Sequence, residues 1–305
     1  MPKVPLLLPT RTMLEQQLFN ALSLGSVYAL FALGFTLVFG VLGVINLSHG
    51  AIFMLGSYVA LLLVDKLAVS LPLALLAAML ITGLIGLIVD YLILRPLRAR
   101  HVPHLVPMIA TIGVAIMLTN LTQGVFGTEN KRFPFGTIPE GSLNWGSLHV
   151  TAVQIGIIGV SFVLMLVLLA IMRRTQLGRA LRAIAESPKA AYLLGINVEG
   201  LFYLTSFSAA ALGGAAGVLV GLSFNAISPY MGQPMLLKGI AVIILGGMGD
   251  IRGALIGGLF LGFAEVLTVA YVSSDFRDAV AFGLLFLILL VKPSGMFGKV
   301  LERKA

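Results

Sequence analysis

The sequence predicts an all-α fold, a polytopic bundle of about eight or nine transmembrane helices with glycine-rich packing. Three observations carry that expectation. Hydrophobic residues fill 59% of the 305 positions and charged residues only 10%, against roughly 25% charged in a typical soluble domain. Apolar runs of about 18 residues or more, long enough to span a bilayer as helices, recur along the chain. Examples are 71–94 (LPLALLAAMLITGLIGLIVDYLIL) and 150–172 (VTAVQIGIIGVSFVLMLVLLAIM). Glycine occurs 35 times. Gly213, Gly217 and Gly221 recur every fourth residue, as do Gly253 and Gly257, then Gly258 and Gly262. That spacing puts them on single helical faces, for close packing within the subunit or for a path or partner. A water-soluble fold would have to hide nearly every side chain, so residues 1–305 are read as one transmembrane domain.

In chain order, crossings are expected at 16–42, 48–64, 71–94, 105–126, 150–172, 200–221, 234–248, 253–272 and 278–291. The opening MPKVPLLLPTRTMLEQQ lacks the pattern of a cleaved signal and is expected to stay on as a tail. Between the first two crossings, INLSHG sets Asn46, Ser48, His49 and Gly50 at a Gly-flanked turn, either a structural helix break or a gating element. FGVLGVINLSHGAI (39–52) is echoed by LGGMGDIRGALI (245–256), and both are placed as cytoplasmic-side turns. Asp90, one turn before Arg95, is expected to snorkel at a helix end. Segment 234–248 is short and glycine-interrupted, so it either crosses or re-enters.

Basic residues set the orientation. Loop 95–104 has three arginines and no acid. Loop 173–199 carries Arg173, Arg174, Arg179, Arg182 and Lys189 against Glu186 and Glu199. The C-terminal tail adds Lys292, Lys299, Arg303 and Lys304 against Glu302. These three are expected in the cytoplasm, and the crossing count then puts 127–149, 222–233 and the N-terminus outside, although Lys3 and Arg11 oppose the last assignment. Trp145 and Tyr230 in the outer segments either dock a partner or anchor the interface. The net charge of +8 therefore reports cytoplasmic loops, and no nucleic-acid partner is expected.

Chemistry is sparse. With no cysteine, disulfides and thiolate metal sites are excluded. His49, His101, His104 and His149 form no HExxH pair, so neither a metal nor another cofactor is expected. No nucleophile–base set appears, so no catalytic residue and no enzymatic activity are assigned. The Walker A pattern is absent. The nearest stretch, GMFGKV (295–300), has the wrong glycine spacing and no Ser or Thr after its lysine.

The polar stretch AESPKAAYLLGIN (185–197) stands out in so apolar a chain. Ser187 suits an N-cap, Pro188 the first helical position and Gly195 a left-handed stop. A second helical stretch, GRALRAIAE (178–186), precedes it, with Arg182 and Glu186 spaced for weak pairing. This is either a solvated loop or a short rigid helix for docking into a groove on a partner.

The sequence resembles the permease subunit of branched-chain amino-acid ABC importers, the LivH type, from about residue 16 to 298. The resemblance is carried by GSVYALFALGFTLVFGVLGVINLSHGAIFMLGSYVA (25–60), GRALRAIAESPKAAYLLGIN (178–197), ISPYMG (227–232) and GGMGDIRGALIGGLFLGFAE (246–265). It implies a coupling region at 173–199 in which Glu186, Ser187, Pro188, Lys189, Ala190, Ala191, Leu194 and Gly195 meet a separate ATPase. KAAYLLG matches the family's EAA-x-x-x-G, with Lys189 in the acidic position. It also implies a plasma-membrane location, a second permease (the chain itself or a companion), two ATP-binding subunits, an extracytoplasmic solute-binding protein and an amino-acid substrate. Within the family, urea, amides or aromatic acids are alternative cargoes. A secondary transporter is the other class, for which only Glu265 and Lys238 could serve as buried ionisable groups.

Those two charges carry a geometric expectation. Lys238 precedes Asp250 by 12 residues and Glu265 follows Arg252 by 13. At about 1.5 Å per residue each lies roughly 18–20 Å from the intervening turn. On adjacent antiparallel helices they sit at one depth, where pairing avoids an isolated intramembrane charge.

Overall fold

The structure is a computed structural model describing residues 11–100, 102–103, 105–137, 141–145, 148–292 and 295–298. The expectations for Lys3, His101, His104, Lys299, Glu302, Arg303 and Lys304 lie outside these residues, as does the side chain of Arg11.

Among the described residues seven helices are long and apolar enough to cross a membrane. They begin with α1 (Arg11–Leu42) and α2 (His49–Leu67). Next, α3 (Leu71–Val89) runs through a π-helical turn at Asp90–Leu94 into α4 (Arg95–Ala99), so half of the expected basic loop is helix. The others are α5 (Leu105–Phe126), α6 (Ala152–Arg174), α9 (Val198–Phe224) and α11 (Ile251–Tyr271). Two shorter apolar helices, α10 (Gly232–Gly246) and α12 (Arg277–Val291), have 15 residues each. Each is about 22 Å long, less than the roughly 30 Å hydrocarbon core. Helices α7 (Gln176–Glu186) and α8 (Pro188–Leu193) fill the polar stretch.

One segment between helices, expected on the outer side, departs from helix. Strands β1 (Ser142–Trp145) and β2 (Leu148–Thr151) form an antiparallel hairpin. The main chain of His149 in β2 is held by the Gln16 amide of α1, which accepts from its N–H at 3.0 Å and donates to its carbonyl at 3.1 Å. Thr151 then caps α6 in a reciprocal box with Gln154, satisfying donors that a helix start leaves open.

Helices α1 and α9 form the buried centre. α1 lies antiparallel to α11 at van der Waals range, with Gly25 beside Gly262, Ala29 beside Gly258 and Gly40 beside Gly249. α2 runs parallel to α9, with His49 beside Gly213, Phe53 beside Gly217 and Ser57 beside Gly221. The four-residue glycine spacing therefore serves packing inside this subunit. A Cβ at Gly217 would overlap the Phe53 carbonyl oxygen, and backbone there has no room to yield. Gly217→Ala should therefore destabilise the fold by about 1–3 kcal/mol through overpacking. Thermal unfolding of the purified variant checks this, and an unchanged midpoint would mean that α2 and α9 are not held so tightly.

Candidate functional site

The INLSHG turn does not stay at the end of α1. The His49 ring packs against Gly34, eight residues before the last residue of α1, Leu42, so about 12 Å back along that helix. Residues 43–48 thus climb back into the bundle, and α2 starts inside it. The expectation of a cytoplasmic-side turn at 39–52 is corrected here, whereas Gly246–Asp250 does turn at the end of α10. The reason is polar satisfaction. Non-helical backbone at membrane depth is tolerated only where protein or a cavity covers it. Here Asn46 Oδ1 accepts from the Ser48 N–H at 3.1 Å and from its Oγ at 2.6 Å. The Leu47 N–H donates to Thr111 Oγ1 at 3.1 Å. Asn46, Ser48 and His49 are all buried. The imidazole stacks on Phe35 and tilts against Phe31, with ring centroids 5.5 and 4.7 Å away. Gly50 meets the backbone of Gly232 at the start of α10.

Lys238 and Glu265 are brought together. Lys238 Nζ lies 2.9 Å from both carboxylate oxygens of Glu265, and the Tyr28 hydroxyl donates to the same carboxylate at 2.9 and 3.0 Å. Two further charges belong to this cluster. Arg277 Nε sits 2.5 Å from Glu265 Oε1, and Asp278 Oδ1 sits 3.4 Å from Lys238 Nζ. Sequence reasoning missed both, because Arg277 and Asp278 fall at the boundary of the last crossing and read as solvated ends. Their juxtaposed charges at its first turn were the available signal.

Asp90 does not snorkel. It is fully buried in the π-helical turn and accepts two bonds from Arg98, at 2.7 and 3.1 Å. The extra residue in that turn brings Arg98, eight residues on, over the carboxylate, the place that Leu97 would take in a regular helix. Arg95 and Arg98 also lie 3.8 and 3.7 Å from Glu199 near the start of α9. The end of α3 and α4 are thus tied electrostatically to α9.

The polar stretch is built as its signals require. Ser187 Oγ accepts from the Ala190 N–H at 3.2 Å, Pro188 opens α8, and Gly195 has φ +80°. Arg182 does not pair with Glu186. It donates to the Met172 carbonyl near the end of α6, which clamps α7 to that helix. Lys189 and Ala190 are exposed, but Ala191 is 1% exposed and packs into the core. The free end of α8 is apolar instead, with Tyr192, Leu193 and Leu194 exposed by 71, 77 and 79%. Tyr192 also lines a groove of about 430 Å³ with Lys189, Asn197 and Glu199. Tyr192 and Leu193 escaped the sequence reading, although three consecutive apolar residues closing a short polar helix were visible.

Of the aromatics expected on the outer side, Tyr230 is half exposed, and the Trp145 side chain lies outside the described residues. The two segments expected to face outward are joined, since the Lys131 and Ile227 main chains exchange two hydrogen bonds at 2.8 and 2.9 Å. Among the described residues no cluster of His, Asp and Glu could hold a metal ion.

The family described as "Branched-chain amino acid transport system / permease component" matches residues 17–289. The chain is 38% identical over 295 residues to the high-affinity branched-chain amino acid transport system permease protein LivH of Salmonella typhimurium, covering 93% of this chain and 95% of that one. BraD of Pseudomonas aeruginosa, of the same description, gives the same identity and coverage. The ribose import permease protein RbsC of Escherichia coli is 30% identical over 281 residues, covering 90% and 84%. No solved structure matches. On the family match and the two relatives at 38% identity, the chain belongs to the branched-chain amino acid transport system permease family.

Proposed function

We propose that this protein is the membrane-spanning permease of an ABC importer for branched-chain or other hydrophobic amino acids. It works with a second permease, two separate ATPases and an extracytoplasmic binding protein. The observation that carries this reading is the exposed apolar end of α8, on a capped helix in a basic segment of a chain without a nucleotide motif. Movement of an ATPase docked there would reach three helices. Arg182 clamps α7 to α6, Asn197 caps α9 directly after α8, and Glu199 joins α9 to Arg95 and Arg98. A secondary carrier would need an ionisable group free to exchange its ion, and the Glu265 carboxylate is engaged by Lys238, Tyr28 and Arg277.

In this reading α7, α8 and the C-terminus face the cytoplasm of a plasma membrane, and the β1–β2 hairpin faces out. The chain has no cysteine of its own, so single cysteines report cleanly. Ser142→Cys should react with an impermeant thiol reagent in intact cells, and Ser187→Cys only after lysis. The reverse pattern would invert the orientation. The import reading itself is tested by purifying the complex into proteoliposomes. Two ATPase subunits should copurify, and leucine uptake should require ATP and the binding protein. Uptake driven by an ion gradient alone would overturn it.

A further inference from the structure

A cavity of about 240 Å³ opens where α1, α6, α7 and the start of α11 meet. Its walls are largely apolar, with Leu37, Val41, Leu169, Leu181 and Ile251 among them. Its mouth is basic. Arg173 near the end of α6, Arg182 of α7 and Arg252 of α11 all line it and are exposed. Asp250 is the one acid in the lining, and its Oδ1 already accepts from the Arg252 and Gly253 N–H groups at 2.7 and 2.9 Å. Among the described residues neither Arg173 nor Arg252 has an ion-pair partner, and Arg182 is engaged by the Met172 carbonyl. Thr36 also lines the cavity, and its buried hydroxyl has no hydrogen-bond partner.

The subunit alone does not balance these charges. Three guanidinium groups around one cavity repel one another. Arg252 stands in the first turn of α11, where the helix dipole disfavours a cation. An anion seated among them would relieve both costs. Inorganic phosphate would meet the arginines but leave the apolar walls facing water, whereas an amphiphile covers both. Basic pockets between membrane-spanning helices on the cytoplasmic side suit anionic lipid headgroups in this way.

We propose that this cavity binds the phosphodiester headgroup of an anionic phospholipid. The arginines meet the phosphate, and the glycerol and first methylenes lie on the Leu37, Val41, Leu169, Leu181 and Ile251 walls. The choice of the cytoplasmic leaflet rests on the orientation proposed above. Since Arg182 clamps α7 to α6, the bound lipid fastens that corner to the first turn of α11, beside the helix offered to the ATPase.

The test is native mass spectrometry of the detergent-purified complex, titrated with dioleoyl phosphatidylglycerol or with the net-neutral phosphatidylcholine of the same chains. The wild type should bind phosphatidylglycerol about tenfold more tightly or better. Arg173→Gln and Arg252→Gln should each lower that preference about fivefold. Arg179→Gln, exposed on α7 but outside the cavity, should leave it unchanged. Ala185→Trp, at the exposed mouth, fills the cavity with every arginine in place and should also remove the preference. Equal affinity for the two lipids would overturn the proposal and leave an acidic segment of a partner subunit as the countercharge. Full preference in Ala185→Trp, or an equal loss in Arg179→Gln, would overturn the site, because the basic surface as a whole would then attract the lipid. Inorganic phosphate and glycerol 3-phosphate should not displace the lipid, and displacement by either would make a soluble phosphate the ligand instead. The orientation is read separately by the thiol labelling above, where a reversed pattern would overturn the leaflet alone.

Discussion

Glu265→Leu should be among the most damaging single substitutions in this chain, costing about 3–5 kcal/mol of stability. The carboxylate is 0% exposed and sits between Lys238 and Arg277 with the Tyr28 hydroxyl on both of its oxygens. Removing it leaves a buried ammonium whose remaining acidic neighbour, Asp278, is 3.4 Å away and mostly exposed. Lys238→Met should cost less, since Glu265 keeps Arg277 and Tyr28. The double variant should lose less than the two single losses added together, with a coupling of roughly 1–3 kcal/mol. Thermal unfolding of the detergent-purified single and double variants measures this. Additive losses would mean that the two charges are held independently.

The positions of these groups were legible to different degrees, for physical reasons. Helix positions follow from apolar run length, so each expected crossing is met by a helix. The depth match of Lys238 and Glu265 follows from helix rise on two segments sharing one short turn. Helix rise says nothing about which other elements pack there, and Tyr28 and Arg277 come from α1 and α12. Asp90 shows the complementary failure. A regular helix turns Arg95 away from it and brings Leu97, seven residues on, to its face, but the π-helical turn adds a residue and delivers Arg98. Such a turn leaves no period in the sequence to read.

The re-entrant turn was hidden for a related reason. Gly43, Asn46 and Gly50 announce a break after α1, but a break at the membrane surface and one that climbs back inside share the same residues. What separates them is the partner, and Thr111 of α5 lies 64 positions away. The hairpin escaped because β1 and β2 have four residues each, too short for a period-two pattern to emerge among the surrounding helices.

The second large effect is expected at the tip of α8. Leu193→Asp and Leu194→Asp should abolish uptake while the permease remains folded in the membrane. Both side chains are more than three-quarters exposed, so an acid there costs the isolated subunit little. Inside a protein groove the same carboxylate would be desolvated without a partner, which costs several kcal/mol. Ala191→Trp is a poorer probe, since Ala191 packs against its own chain and the larger ring would disturb α7 and α9 directly. Gly195→Ala isolates the backbone contribution. Nothing crowds a Cβ there, but φ is +80°, so the cost is the roughly 1–2 kcal/mol of a left-handed residue. That variant should weaken uptake without abolishing it. The measurements are ATP-driven uptake and ATPase copurification, with thermal unfolding as the control for folding. Normal uptake and copurification by both aspartate variants would remove α8 as the docking element and turn attention to the Lys189–Glu199 groove beside it.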